Sequence, residues 1–255
     1  MELFYREYGK GEPLVILHGL FGSADNWMTQ AKMLGEHFHV FTVDQRNHGL
    51  SPHSPDHDYL AMAEDLNEFF IQRKLKDAIV LGHSMGGKTA MNFALKYPSK
   101  VSKLIVVDIM PKAYRVHHDK ILAGLKSLQL ASLTSRNQAD EELAHFVEER
   151  DVRQFLLKNL SREQGGGFTW KINLTAIGQN IEEMGVGVVV AGQFDKPSLF
   201  IIGERSNYYA FGDEAIIKKY FPRFTLVEME TGHWVQSEKP KEFVDEVVKF
   251  LAGSD

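Results

Sequence analysis

Gly82-His83-Ser84-Met85-Gly86 constrains the fold of this chain more than any other stretch. It follows the apolar run Ala78-Ile79-Val80-Leu81 and opens a helix-like segment, Gly87 to Tyr97, that ends at Pro98. A strand that turns into a helix this abruptly holds its serine in strained backbone. The flanking glycines leave room where strand and helix pass closely, and the hydroxyl stands exposed at the sheet edge. By itself the pentapeptide describes a plain glycine-rich turn equally well.

Three further motifs change that balance. His18-Gly19-Leu20-Phe21-Gly22 follows the buried-strand pattern Leu14-Val15-Ile16-Leu17, as expected of a loop that brings a backbone N–H close to the serine. Asp44-Gln45-Arg46-Asn47-His48-Gly49-Leu50-Ser51 follows a third run, Val40-Phe41-Thr42-Val43. Gly232-His233-Trp234 lies just beyond Thr225-Leu226-Val227-Glu228-Met229, where a loop histidine can swing over the sheet edge.

Short apolar runs alternate with helix-like segments, which predicts βα repetition and a mostly parallel sheet. Tyr59 to Leu75 carries Leu60, Ala63, Leu66, Phe69 and Phe70 at near-helical spacing, and Lys103 to Asp108 is the next strand. The alternation then stops. From Pro111 to about Lys196 the patterns are mainly helical: Ile121–Leu130, Ala139–Glu149, Val152–Leu160 and Ile177–Met184. Glycines 165 to 167 form a break, and Phe168 to Asn173 reads as a short strand. Sheet-like sequence resumes at Ser198 to Ile202. The expected organisation is one α/β core, residues 1–110 and 197–255, interrupted by a helical insertion, 111–196.

At 255 residues with 44% apolar content the chain can bury a substantial core. A net charge of −5 supplies no global basic field for nucleic acid or an anionic membrane. The absence of cysteine excludes disulfides, thiolate catalysis and cysteine-ligated metal sites. The N-terminus lacks the charged-then-apolar plan of a signal peptide and no stretch reaches membrane-span length, so a cytoplasmic location is expected. His117-His118 are adjacent and there is no His-Glu-x-x-His motif, so no required metal is expected. No phosphate-binding Gly-x-x-x-x-Gly-Lys-Ser/Thr loop is present, so no nucleotide cofactor is expected either.

Four motifs in this order, each after a strand-like run, resemble the α/β-hydrolase superfamily over nearly the whole chain. His18 to Gly22, Arg46 to Gly49 and Gly82 to Lys88 are similar to a group of small bacterial serine esterases, themselves similar to the mitochondrial abhydrolase-domain hydrolases. Asn47 stands where many relatives carry glycine. The resemblance implies ester or thioester hydrolysis without a cofactor, with small or medium acyl esters the expected substrates, and a helical cap is a design the superfamily commonly uses for such an insertion. Dehalogenase and epoxide hydrolase chemistry are disfavoured, because those relatives carry aspartate where Ser84 stands.

A serine hydroxyl is a poor nucleophile near neutrality and needs a base. Of 11 histidines, His233 is the best placed, in a glycine-preceded loop after the last strand-like run. His18, His48 and His83 fit loop-orienting hydrogen bonds better. The acid must accept the other imidazole N–H and stabilise the imidazolium. Many superfamily members place an aspartate after the penultimate strand, where this chain reads Gly203-Glu204-Arg205-Ser206, and Ser206 supplies no negative charge. Asp108, ending the strand after the elbow helix, occupies an alternative superfamily position and is favoured. Glu204 is the competing acid, and a carboxylate capping the Pro111-side N–H groups is the structural alternative. Met85 N–H, at a helix start, is the first oxyanion donor, and Leu20 N–H is the second by similarity. Asp44 and Arg46 read as loop-pinning groups. Phe21, Trp27, Tyr114, Phe155, Trp170 and Trp234 are candidates for an apolar acyl pocket. The expected function is a serine carboxylester hydrolase using Ser84, His233 and Asp108. An acyl-CoA thioesterase is the close alternative, and a slow-turnover ligand receptor is the alternative from another class.

Overall fold

The computed structural model describes residues 1–253. Its strands are β1 (Tyr5–Tyr8), β2 (Pro13–Leu17), β3 (His39–Val43), β4 (Ala78–His83), β5 (Val101–Val107), β6 (Leu160–Arg162), β7 (Phe168–Trp170), β8 (Ser198–Gly203) and β9 (Phe224–Met229). Its α-helices are α1 (Met28–Leu34), α2 (Tyr59–Gln72), α3 (Met85–Lys96), α4 (Asp119–Ser127), α5 (Arg136–Leu143), α6 (Arg150–Leu157), α7 (Leu174–Gln179), α8 (Glu214–Tyr220), α9 (Val235–Glu238) and α10 (Pro240–Ala252).

Within these residues seven strands form one sheet in the order β1-β3-β2-β4-β5-β8-β9, with β1 antiparallel to β3 and the other neighbours parallel. The central strands are apolar in an unbroken run because both faces are covered. Val15, Leu17, Val80 and Val106 point to one face and pack against Phe69 and Phe70 of α2 and Phe93 of α3. Leu14, Ile16, Leu81 and Ile105 alternate to the other and meet Ala31 of α1 with Phe243 and Val247 of α10. This is the mostly parallel α/β sheet, flanked by helices, that the motif order implies. No helix among the described residues is long and apolar enough to cross a membrane.

The order of strands reverses at β2: the chain moves outward to β3 and then returns to place β4 on the other side of β2. Ligands of open α/β sheets bind beyond the carboxyl ends of strands at such a switch point. Here the loop after β2 begins at His18 and β4 ends at His83, so two of the sequence motifs meet there.

Between β5 and β8 lie α4 to α7 and the antiparallel hairpin β6–β7. Leu122, Leu125, Leu143, Leu156 and Ile177 form a separate apolar cluster, which Phe21 joins from the loop after β2. Gly166 and Gly167, at φ of 94° and 75°, make the hairpin turn, a conformation that suits glycine. All four helices in this region end earlier than their apolar patterns predict, and Leu160, expected in a helix, begins β6 instead. The helix expected to run to Glu149 stops at Leu143, and Arg153 takes the Val147 and Glu148 carbonyls at 3.0 and 2.7 Å. The helix expected over Ile177–Met184 breaks at Asn180, whose side chain bonds the Ala176 and Pro55 carbonyls, both at 2.9 Å.

Candidate active site

Ser84 joins β4 to α3 with φ 53° and ψ −119°, a conformation an L-residue seldom adopts. The glycines around it are demanded by contact. A Cβ on Gly82 would lie 2.1 Å from the Gly86 carbonyl oxygen, and one on Gly86 would lie 2.4 Å from that of Leu17. The turn is therefore pressed against both β2 and its own helix, and Ser84 N–H is held by the Val107 carbonyl at 3.0 Å. Met85 begins α3, so its N–H has no partner within the helix.

The loop after β2 is equally close. A Cβ on Gly19 would come within 3.0 Å of His83 Nδ1 and 3.3 Å of Ser84 Cβ. His18 accepts the Gln45 N–H through Nε2 at 3.0 Å, and its Nδ1 donates to the Gly19 carbonyl at 2.8 Å. His48 accepts the Phe21 N–H at 3.1 Å through Nε2 and donates from Nδ1 to the Arg46 carbonyl at 2.9 Å. Asn159 of the insertion grips the Phe21 carbonyl from the other side at 2.8 Å. Leu20 N–H has no intramolecular acceptor among the described residues. The His18 and His48 rings lie 5.0 Å apart, with His57 5.5 Å from His48, and burial lowers the three to about 4, 3 and 3 respectively. Neutral rings are what the His18 and His48 bonds require, since Nε2 of each must keep its lone pair to accept a backbone N–H.

Asp108 directly follows β5, at φ 50° and with no exposed surface. Its Oδ1 accepts Gly203 N–H at 2.9 Å, and its Oδ2 accepts the Ser206 hydroxyl at 2.5 Å and His233 Nδ1–H at 2.6 Å. The carboxylate thus bonds across to the β8 loop and to the histidine, and not to the Pro111-side amides. Glu204 is exposed and takes no part in these contacts. Ser206, which lacks the charge to act as the acid, supplies a donor to the residue that has it. The His233 ring stacks on Tyr208 with centroids 4.3 Å apart at 26°, and its carbonyl accepts from His83 Nε2 at 2.8 Å. With Nδ1 engaged by Asp108, Nε2 is the ring nitrogen not committed to that bond.

Ser84 and His233 share the wall of a cavity of about 600 Å³, within the usual range for small-molecule sites. Leu20, Phe21, Trp27, Met85, Tyr114, Phe155 and Trp234 line it as well. Phe155 of α6 and Trp234 face each other at 5.7 Å across the seam between insertion and sheet. Trp170 does not line it: it sits on β7 and packs within the insertion's own cluster, because the hairpin turns that ring toward the inserted helices. Sequence reasoning missed Tyr59, Ile109, His118, Met184 and Tyr208 as lining residues. Nothing in their periodicity separates them from packing residues. His118, one of the adjacent histidine pair, places its ring 6.2 Å from that of Phe21.

Asp44 accepts Ala24 N–H at 2.6 Å and Leu50 N–H at 2.8 Å, while Arg46 grips Asp65 through Nε at 2.6 Å and Nη2 at 3.0 Å. Both pin loops, as their placement at a strand end predicts. Asn47 adopts φ 65°, a conformation that asparagine tolerates better than most L-residues, and its Oδ1 also binds Ser54 N–H at 2.8 Å and Asn173 Nδ2 at 3.1 Å.

Residues 12–132 match the family described as the alpha/beta hydrolase fold. The chain is 40% identical over 248 residues to the sn-1-specific diacylglycerol lipase ABHD11 of Mus musculus, covering 94% of this chain and 80% of that protein. It is 34% identical over 241 residues to the esterase YbfF of Escherichia coli, covering 94% and 92%. A solved structure described as a marine microorganism esterase superposes with a TM-score of 0.95 at 43% identity, covering 98% of this chain and 99% of that one. Together with the strand–serine–helix turn and the sheet order, these likenesses establish that the chain belongs to the α/β-hydrolase family, within the group that includes these esterases and lipases.

Proposed function

We propose that the protein is a serine carboxylester hydrolase acting on small or medium acyl esters through an acyl-enzyme, with residues 111–196 as a cap over the acyl pocket. The observation that carries this reading is the 2.6 Å bond from His233 Nδ1 to the fully buried Asp108, on a histidine that shares a cavity wall with Ser84. Asp108 fixes the tautomer that leaves Nε2 unprotonated. His233 Nε2 takes the Ser84 proton as Oγ attacks the ester carbonyl, and the oxyanion that forms takes hydrogen bonds from Leu20 N–H and Met85 N–H. The alcohol leaves with the proton from His233. Water then attacks the acyl-serine, giving its proton to Nε2, and Ser84 departs with that proton as the acid is released.

The apolar wall of Phe21, Phe155 and Trp234 suits an acyl chain. Hydrolysis of p-nitrophenyl esters from acetyl to decanoyl, with acyl-CoA and diacylglycerol arms, tests the assignment. Wild type is expected to show a length optimum on the esters. Ser84→Ala is expected to reduce kcat by about 10⁴ or more while remaining folded. Turnover retained by that variant would remove the nucleophile assignment. Preference for acyl-CoA would redirect the reading to a thioesterase, and ligand-induced stabilisation without turnover would redirect it to a receptor.

A further inference from the structure

Lys88 lies one turn into α3, with its N–H on the Ser84 carbonyl at 3.0 Å, and its side chain has no exposed surface. The reaction outlined above does not use it. Nζ donates to the Lys112 carbonyl at 2.6 Å and to the Val186 carbonyl, and it sits over the rings of Tyr114 at 5.1 Å and Tyr59 at 5.7 Å. No carboxylate pairs with it among the described residues. Burial pulls its ammonium down to about 7. An amine buried without a counter-ion carries a desolvation cost that an apolar side chain of the same length avoids. What an apolar side chain lacks is a pair of donors. Both the ammonium and the neutral amine can serve two carbonyls, so the contact does not depend on which form is present.

Those carbonyls belong to the two connections that join the insertion to the sheet. Lys112 lies on the way in and Val186 on the way out. The connections are themselves paired, Tyr114 N–H to the Gly185 carbonyl at 2.7 Å and Val188 N–H to the Pro111 carbonyl at 3.1 Å. One turn further along α3, Asn92 Oδ1 accepts Val189 and Val190 N–H at 3.0 and 3.2 Å, while its Nδ2 donates to the Lys88 carbonyl at 2.9 Å. Tyr59 hydroxyl adds a bond to the Met184 carbonyl at 2.9 Å. Tyr59, Tyr114, Met184 and Gly185 are cavity wall. The approach is tight, since a Cβ on Gly185 would lie 2.6 Å from the Tyr114 oxygen.

We propose that Lys88 is a positioning residue that ties both connections of the insertion to the helix carrying the nucleophile, and thereby sets the width of the acyl cavity. The proposal rests on the ester hydrolase reading for its kinetic consequence, but not for its structural one.

The test compares wild type with Lys88→Met and Lys88→Arg across p-nitrophenyl esters from acetyl to decanoyl, separating kcat from KM, with amide hydrogen exchange over residues 111–114 and 186–190. For Lys88→Met the expected result is acetyl-ester kcat within about threefold of wild type and KM for the longest esters raised about tenfold, loss of two buried hydrogen bonds having that order of effect. Exchange at the connections should be accelerated at least tenfold, and Lys88→Arg, which keeps several donors, should recover part of the length preference. An unchanged length profile and unchanged exchange in folded Lys88→Met would overturn the proposal. So would a uniform fall in kcat at every length, which would place the effect on the serine turn. If Lys88→Met does not fold, wild-type exchange decides: connections exchanging more than tenfold faster than α3 would refute the tether. If wild type shows no serine-dependent turnover, the hydrolase reading fails while the exchange data still judge the tether.

Discussion

Asp108 is surrounded by donors: Gly203 N–H on one oxygen, and the Ser206 hydroxyl and His233 Nδ1–H on the other. Both oxygens are therefore committed as acceptors, and an amide in their place must set its NH₂ against a donor whichever way it is turned. Asp108→Asn is accordingly expected to lower kcat on a short ester by about 10⁴, the scale seen when a triad histidine loses its tautomer-fixing partner. Glu204→Gln, at an exposed side chain outside these contacts, should stay within about twofold, the range of a surface change away from the site. Steady-state kinetics of the two variants side by side is the check, and the reverse ranking would overturn the acid role proposed for Asp108 in favour of Glu204. Asp108 was legible as a candidate because a carboxylate stands directly after an apolar run, at a position that the resemblance to the superfamily also marks. Its partner Ser206 was not legible, since a serine in a loop has many possible acceptors until the chain is folded.

The serine turn is an element whose glycines are determined by backbone atoms that cannot move aside. A Cβ on Gly86 would meet the Leu17 and His18 carbonyl oxygens at 2.4 and 2.6 Å, both on the neighbouring strand and its loop. Gly165, in the β6–β7 turn region, has nothing within 4 Å of the same position. Gly86→Ala should thus cost at least about 2 kcal/mol, lowering Tm by about 5 °C or more in a domain of this size. Gly165→Ala should leave Tm unchanged, and calorimetry on both variants separates a packing requirement from glycine content as such. At the same scale, the apolar repeats located the helices but not their ends. The pattern of 139–149 continues past Leu143, yet the chain leaves the helix there and Arg153 binds the freed carbonyls. The break at Asn180 likewise depends on the Pro55 carbonyl, which is distant in sequence.

The molecule as a whole carries a chain of buried neutral histidines behind the loop that supplies Leu20 N–H. His18, His48 and His57 titrate near 4, 3 and 3 because burial disfavours the charged ring, whereas in the unfolded chain they return to about 6.5. Below pH 6.5 the unfolded state therefore binds protons that the folded state refuses, so stability falls as pH falls, and it is level on this account above about 6.5. At pH 5 each ring contributes about 2 kcal/mol of this loss, roughly 6 kcal/mol for the three, which is a large share of a typical folding free energy. Urea unfolding between pH 8 and 4.5 should show a plateau and then a steep decline. His57 Nε2 has no hydrogen-bond partner among the described residues, so His57→Leu should make the decline shallower by about 2 kcal/mol at pH 5 while leaving the His18 and His48 bonds in place. An unchanged slope in that variant would show that the acid sensitivity lies elsewhere.

The central strands β2, β3, β4, β5 and β8 were legible in the sequence, because strands covered on both faces are apolar almost without interruption, and so was the order in which Ser84, Asp108 and His233 arise, each after a strand-like run; the exposed edge strand β1, with its polar Arg6 and Glu7, was not. The sequence also marked the turn at Ser84, since glycines at 82 and 86 answer a crowding that any strand-to-helix turn of this kind creates. Which aromatic rings face the cavity follows from the folded chain alone, which places Phe155 against Trp234 and turns Trp170 into the insertion. It alone joined Ser206 to Asp108 and Lys88 to the two connections. Local pattern reports whether a side chain is buried, but the identity of its neighbour depends on how distant segments close upon one another. Contacts separated by about a hundred residues, such as Ser206 with Asp108 and Lys88 with Val186, are set by that closure.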